Sequence, residues 1–405
     1  MEPKIRFKGF EGEWKTPSIG EVFELRNGYT PSKAVNEFWE GGTIPWFRME
    51  DIRTNGGFLK DAIQHITPLA VKGAGLFEKN SIILATTATI GVHAMLIADS
   101  LANQRFTNFR VRKSLSNSYI DNFLYYSFFN IDEWSKKNTN SGGLLSVNMP
   151  LLVKQPLYSP CKQEQQAIAS YFTSLDSQIS AATSRLASLK QMKAASLQAM
   201  FPQEGETVPK IRFKGFEGEW KKVKLSEILT ERHENSTITD SLPQLSFTIA
   251  DGVIRPEDRK SNKRDFLIKD IDNKRYLVTK VGDIIYNPAN VVYGAIHRNS
   301  LMNGVVSPIY KIFTTMQDSN FIECAVRRPS FITKLAMCTE GTVTKLKTLK
   351  PEAFLNMEVC ITPSLEEQKL IGNYFTSLDR QISLQSQCLE KLKQIKSACL
   401  DKMFV

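Results

Sequence analysis

The chain contains much of itself twice. Residues 3–15 read PKIRFKGFEGEWK, and residues 209–221 repeat all 13 positions at an offset of 206. A second pair follows. Residues 164–180 read EQQAIASYFTSLDSQIS and residues 367–383 read EQKLIGNYFTSLDRQIS, identical at 12 of 17 positions at an offset of 203. The match continues more loosely, with Leu189-Lys190-Gln191 recurring as Leu392-Lys393-Gln394 and Met200-Phe201 as Met403-Phe404. Between the repeated blocks lie residues 16–163 and 222–366, 148 and 145 residues long, alike in length and unlike in sequence. Stacked solenoids repeat every 20–50 residues or so, and this period is far longer. A constant frame carrying two different inserts predicts one job done twice on two different targets. Because each PKIRF block follows, or begins again after, a Met-Phe helix end, the reading is circular, with adjacent termini and a pseudo-two-fold relation between the halves.

Composition narrows the class. At roughly 100–200 residues per domain, 405 residues predict two to four domains. Apolar residues make up 42% and aromatics 10%, enough to bury cores and to exclude a wholly disordered chain. No run of about 18 apolar residues exists, which excludes a membrane-spanning helix. Residues 1–15 are charged and have no apolar core, so no secretory signal is expected. Lys plus Arg total 52 against 42 acidic residues, a net charge of +10 that points to an acidic partner such as nucleic acid. The six cysteines have no CxxC spacing, which reads as reduced thiols in a cytosol rather than a zinc site or a disulfide framework.

The constant blocks read as helices. Residues 161–201 contain neither Pro nor Gly and lie between Pro160 and Pro202, suitable start and stop signals. Apolar or small residues recur at Leu175, Ile179, Ala182, Leu186 and Leu189, then Met192, Ser196 and Met200. The second copy places Leu378, Ile382, Gln385, Leu389, Leu392, Ile395, Cys399 and Met403 at the same sites. Steps of four and three make a heptad-like stripe, best buried by pairing the two helices antiparallel as a coiled coil. Thr173, Ser174 and Asp176 predict a cap or kink near Leu175, hence a short helix followed by a long one spanning ~39 Å. The expected domains are 1–158, 159–203, 204–362 and 363–405: two mixed domains and two helical regions. The fold class is α+β, with two mixed α/β domains separated by two long antiparallel helices.

The variable segments mix strands and helices. Residues 44–47, 81–87, 94–97 and 106–111 read as strands and 118–129 as an aromatic-rich helix. In the second segment residues 282–286, 294–297 and 308–313 read as strands and 320–327 as a helix. Gly, Asn and Pro cluster between them as loops. These loops carry the groups that read base edges: Arg for guanine, Asn and Gln for adenine, Thr methyls for thymine. The candidates are Lys33, Arg48, Thr86, Thr87, Thr89, Asn103, Gln104 and Arg105 in the first segment. In the second they are Lys263, Arg264, Asn287, Asn290, Tyr293, His297 and Arg298. Residues 140–143, with Gly142 and Gly143, and residues 340–345, with Thr342 and Lys345, sit at comparable places before each constant block and read as backbone-approach loops.

Catalytic patterns are missing from the sequence. Asn287-Pro288-Ala289-Asn290 lacks the second Pro and the aromatic of an adenine-methyltransferase loop. No GxxxxGK[ST] phosphate loop occurs. Asp251 with Asp258-Arg259-Lys260 only superficially fits a nuclease, and His65, His93, His233 and His297 are isolated from metal-ligand spacing. No catalytic residue and no metal ligand is expected.

With these residues in view, the chain resembles the specificity subunit of type I restriction–modification systems. The EQQAIASYFTSLDSQI and EQKLIGNYFTSLDRQI blocks opening long helices carry the resemblance. Asn27-Gly28-Tyr29-Thr30-Pro31-Ser32-Lys33, Gly41-Gly42-Thr43-Ile44-Pro45-Trp46 and Val305-Val306-Ser307-Pro308-Ile309-Tyr310 are similar to target recognition domains of that family. The resemblance implies two target recognition domains, each reading one half of a split, asymmetric DNA site, held on a coiled-coil ruler. It implies two modification subunits that bind S-adenosylmethionine and direct adenine methylation, and two restriction subunits that use ATP and Mg²⁺. It implies a cytoplasmic, non-catalytic subunit with no cofactor of its own. The partner side of the helices would be Leu175, Ile179, Leu186, Leu189, Leu378, Ile382, Leu389 and Leu392. The alternatives are a stand-alone bipartite DNA-binding protein, a bilobed DNA-modifying enzyme, and a coiled-coil scaffold without DNA contact.

Overall fold

The computed structural model describes residues 2–140, 143–259, 275–339 and 348–404. The chain divides into two compact units, Met1–Thr183 with Gln387–Val405, and Ser184–Ser386. Each unit draws on both halves of the sequence.

The first unit is built on a five-stranded sheet of β1 (Phe23–Asn27), β2 (Phe58–Leu59), β3 (Ile82–Ala85), β4 (His93–Leu96) and β5 (Phe106–Val111), in the order β1-β5-β3-β4-β2. Every residue of β3 and β4 is buried. An unbroken apolar strand of this kind is covered on both faces. Ile82 and Leu84 face helix α1 (Asp121–Lys137) and its Phe123, Leu124 and Phe128. Ile83 and Ala85 face the opposite core of Trp46, Phe47, Leu59 and Phe77.

The second unit repeats the central strands. Its four-stranded sheet contains β6 (Leu229–Glu231), β7 (Ile284–Tyr286), β8 (Ile296–Arg298) and β9 (Lys311–Thr315), ordered β6-β9-β7-β8. The registers correspond. Ile82 pairs with Phe109 and Met95, and Ile284 pairs with Phe313 and Arg298. Ile284 and Tyr286 pack on helix α2 (Ser319–Val326) through Phe321 and Ile322, whereas Ile285 turns to Phe247, Val306 and Ile312.

The repeated blocks explain themselves as one clasp made twice. The Arg6 guanidinium forks onto Glu164 at 2.7 and 2.7 Å, and the Arg212 guanidinium onto Glu367 at 2.6 and 2.9 Å. Both carboxylates are buried, and each holds its arginine above the ordinary guanidinium pKa through that hydrogen bond. Trp14 packs edge-on against Phe404 and Phe123, and Trp220 likewise against Phe201 and Phe321. The backbone closes in the same way twice. Ile5 N–H donates to the Lys402 carbonyl (3.0 Å), and Ile211 N–H to the Ala199 carbonyl (2.9 Å). The expected proximity of the two ends is therefore found within the first unit.

Two long helices, Lys162–Ala199 and Leu365–Met403, run through the constant blocks. In the first unit Tyr171 meets Cys399 (3.4 Å) and Asp176 meets Lys396 (2.6 Å). In the second, Tyr374 meets Ser196 (2.9 Å) and Asp379 meets Lys193 (2.5 Å). One index rises as the other falls, so the segments pair antiparallel in each unit.

Several expectations need correction. Neither helix breaks near Leu175 or Leu378. Thr173 accepts from Asn122 (3.3 Å), and Asp176 accepts from Tyr126 (2.9 Å) and Lys396, so these side chains do not cap a backbone N–H. The heptad stripe is buried at Leu175, Ala182, Leu189, Met200, Leu378 and Met403 and half-buried at Ile179, Leu186, Ile382, Leu389 and Leu392. Met192 and Ile395, expected within the seam, are 49% and 46% exposed. Helix α1 runs eight residues past its expected end because Ile131 and Trp134 prolong its apolar face. Strand β9 starts at Lys311 rather than Pro308, since residues 307–310 form a turn closed by Tyr310 N–H to the Ser307 carbonyl (3.2 Å).

Candidate nucleic-acid interface

Strand register decides which loops meet. In the first unit Ala85 lies opposite Phe106, and Asn27 opposite Thr107. The loops 28–33, 86–92 and 103–105 therefore leave the same end of the sheet. Hydrogen bonds join them. Thr86 N–H donates to the Arg105 carbonyl (2.9 Å), Asn103 N–H to the Phe47 carbonyl (3.0 Å), and Thr30 Oγ1 to Gln104 Oε1. The segment before the next short helix joins as well, since Val147 N–H donates to the Thr86 carbonyl (2.9 Å).

This brings together most candidates of the first segment. Lys33, Gln104 and Arg105 are exposed, and Arg48, Thr87, Thr89 and Asn103 are half-exposed. Asn103 Oδ1 is occupied by its own loop, accepting from Arg105 N–H (3.0 Å). The Arg48 guanidinium lies 5.9 Å from the Trp46 ring centroid, and its Nε, 3.9 Å from Glu50 Oε2, donates no hydrogen bond. Gly143 is exposed and left-handed, at φ +80°. Thr86 is different. It is 6% exposed, and its hydroxyl meets Thr107 Oγ1 (2.9 Å), which donates to Asn27 Oδ1 (2.9 Å). Its side chain, expected at the surface, is enclosed in the fold and supports the loop from beneath.

In the second unit the loop 287–295 leaves the corresponding end of its sheet. Leu349 N–H donates to the Pro288 carbonyl (3.1 Å), the counterpart of the Val147–Thr86 bond. Asn287 and Asn290 are half-exposed and Tyr293 is 72% exposed. His297 and Arg298 do not belong with them. Arg298 pairs with Ile284 at the far end of the hairpin. His297 is buried, facing the Ile249 carbonyl through Nε2 (2.8 Å) and Glu323 through Nδ1 (3.5 Å). Burial pushes the Glu323 carboxyl up, but the His297 hydrogen bond and Arg327 outweigh it and hold the group below its ordinary pKa. The sequence grouped these residues because they are near in number; the antiparallel turn of the hairpin sends them apart. Gly142, Lys263, Arg264, Thr342 and Lys345 lie outside the described residues.

Sequence reasoning also passed over residues that hold the site. Gln165 and Gln368, second in each EQ pair, fix the sheet-bearing lobes to the long helices. Gln165 Oε1 accepts from Ile120 N–H (3.0 Å) at the start of α1, and Gln368 Oε1 from Asp318 N–H (3.0 Å) at the start of α2. The signal was available, since a Glu-Gln pair recurs at both helix starts. Lys72 was missed too. It stands 4.7 Å over the Tyr29 ring, beside the 28–33 loop.

Both units thus present unlike loops on a like sheet, anchored to a repeated clasp. The family model for the type I restriction modification DNA specificity domain matches residues 11–191 and again 217–394. The chain belongs to the type I restriction–modification DNA specificity family. It is 47% identical over 153 residues to the type I restriction enzyme EcoprrI specificity subunit of Escherichia coli, a stretch that spans 38% of either chain. It is 21% identical over 411 aligned residues to the MjaVIII specificity subunit of Methanocaldococcus jannaschii, covering 96% of this chain and 91% of that one. The fold is shared with the crystal structure of the type I restriction–modification system S subunit from M. genitalium, at a TM-score of 0.62, 14% identity and coverage of 100% and 99%. Each of the two matched stretches begins inside a PKIRFKGFEGEWK block and ends within a long helix.

Proposed function

We propose that this chain is the DNA sequence-specificity subunit of a type I restriction–modification complex, recognising a bipartite, asymmetric site. One observation carries the reading. The same loop-bearing sheet is built twice on one repeated clasp, and the loops at its reading end are Thr-, Gln- and Arg-bearing in one copy and Asn- and Tyr-bearing in the other. Unlike loops read unlike half-sites, so the site need not be a palindrome. In this reading the target recognition domains are residues 1–158 and 204–362, and residues 159–203 and 363–405 are the helical regions that carry them.

Side chains at the loops choose bases, whereas Lys and Arg around them supply salt-dependent affinity for the phosphate backbone. Lys33, Arg105 and Lys72 serve that second role in the first unit. The chain itself transfers nothing. Two modification subunits docked on the helices hold S-adenosylmethionine and methylate an adenine taken out of the base stack. Two restriction subunits use ATP and Mg²⁺ for translocation and cleavage. Reading chromosomal and incoming DNA places the assembly in the cytoplasm.

Modified-base sequencing of DNA from a host that carries the system tests this. Adenine methylation at a split, non-palindromic sequence is expected, and replacement of residues 16–163 by another variable segment should change one half of that sequence only. A contiguous or palindromic motif, or methyl transfer by the purified chain alone, overturns the reading.

A further inference from the structure

The loop joining β3 to β4 contains a backbone conformation that its residue disfavours. Among the described residues only Asn80 and Ala88 combine a side chain with positive φ, at +65° and +66°. Asparagine tolerates that region; alanine pays for its Cβ there. Ala88 is the centre of a three-residue turn, closed by Thr89 N–H donating to the Thr87 carbonyl (2.9 Å). A γ-turn with positive φ at its centre is the rare, strained form. Such strain persists only where the surroundings over-determine it.

The surroundings do so here. Ala88 N–H donates to the Leu145 carbonyl (2.9 Å), Thr87 bridges to Ser146, and Val147 N–H holds the Thr86 carbonyl. Thr86 is pinned from below by Thr107 and Asn27. At the other end Gly91, at φ +71°, lies so close to α1 that a Cβ would come 2.5 Å from the Asp132 carbonyl oxygen. The loop is thus fixed on both sides of a residue that would relax if released. The corresponding loop of the second unit keeps a left-handed glycine, Gly294, at the position of Gly91, two residues before its strand, and has no strained alanine like Ala88 among the described residues. Thr87 and Thr89, flanking Ala88, are half-exposed at the reading end of the sheet.

We propose that the Thr87–Ala88–Thr89 turn is the specificity-determining element of the first unit, a rigid mount that presents the hydroxyl and methyl groups of both threonines to one A·T pair edge. The inference rests on the DNA-reading function proposed above. Threonine offers a methyl to the thymine C5-methyl and a hydroxyl to the adenine edge, and both contacts need a fixed approach angle to discriminate. A freely rotating loop would hydrogen-bond to several base pairs alike. With the relaxed negative-φ states blocked by the surrounding hydrogen bonds, alanine leaves fewer alternatives than glycine, which also enters the mirror-β regions of positive φ.

The test uses Ala88→Gly in the full chain assembled with its modification subunits. Glycine accepts φ near +66°, so the fold is kept. The variant should melt at or above the wild-type temperature. It should lose at least tenfold in discrimination between the cognate first half-site and its single-base substitutions, with discrimination in the second half-site unchanged. Thr87→Val and Thr89→Val, which keep a methyl and lose the hydroxyl, should alter preference at one base-pair position of the first half-site. A loss of less than tenfold for Ala88→Gly, or an equal loss in both half-sites, overturns the proposal. A wild-type complex that discriminates in neither half-site rejects the underlying DNA-reading function instead.

Discussion

Replacing Arg212 with alanine should cost far more than a surface ion pair is worth. Glu367 is fully buried and accepts two hydrogen bonds from Arg212, at 2.6 and 2.9 Å, and another from Thr362 Oγ1. Removing the guanidinium leaves a buried carboxylate without its counter-charge, a change that costs about 3–5 kcal/mol. Lys222→Ala is the internal control. It breaks the Lys222–Glu358 pair, whose side chains are 65% and 45% exposed, and water and salt screen pairs of that kind so that they contribute little. Removing both members of the clasp together, Arg212→Met with Glu367→Leu, takes away the buried charge as well as its partner. That double variant should recover to within about 2 kcal/mol of the wild type. Urea unfolding of the full chain, followed by circular dichroism, gives all three values. If Arg212→Ala costs no more than Lys222→Ala, or if the double variant is no better than the single one, the clasp is not what holds the repeated block to its helix.

Gly57→Ala should destabilise the first unit by about 1–3 kcal/mol, because its Cβ would fall 1.8 Å from the Tyr125 hydroxyl oxygen; thermal melting reads the loss. Cys324 should resist iodoacetamide at pH 8.5 while the exposed Cys161 and Cys388 are labelled, as peptide mass spectrometry would show, since burial pushes its thiol up to about 12. The sign for stability follows: the folded thiol stays neutral while the unfolded one ionises near 9, so its contribution is complete below about pH 9 and is lost as pH rises toward 12. Inserting four residues into both long helices, after Ile179 and after Ile382, should alter the gap between half-sites or abolish methylation while leaving the half-sites unchanged; an altered half-site with the same gap would contradict the ruler role.

The duplication was legible because it was exact in the residues that the clasp uses. Arg6, Trp14 and Glu164 recur as Arg212, Trp220 and Glu367, and each makes the same contact to a buried partner in both copies. The continuous apolar runs at 82–85 and 284–286 were equally plain, since strands covered on both faces have no polar positions to blur the pattern. β1 and β6 were not read. Phe23–Asn27 and Leu229–Glu231 are short and mixed, and only pairing with β5 and β9 makes them strands. The loop residues were the hardest. Thr86 and Thr87 are adjacent and chemically identical, yet one is enclosed by Thr107 and the other faces outward, a difference set by hydrogen bonds to residues 20 and more positions away. The kink expected at Thr173 and Ser174 failed for a related reason, because helix-breaking chemistry acts only when the side chain turns back on its own backbone.

The glutamine that follows each clasp glutamate has a consequence for how new specificities arise. Gln165 receives the Ile120 amide and donates to the Ser118 and Pro160 carbonyls, and Gln368 receives the Asp318 amide and donates to the Thr362 carbonyl. Most of what the glutamine holds is main chain, which every amino acid but proline supplies in full. The frame therefore asks an incoming lobe for a shape at one helix start and hardly for a sequence, and this makes it a socket into which unrelated readers can be plugged.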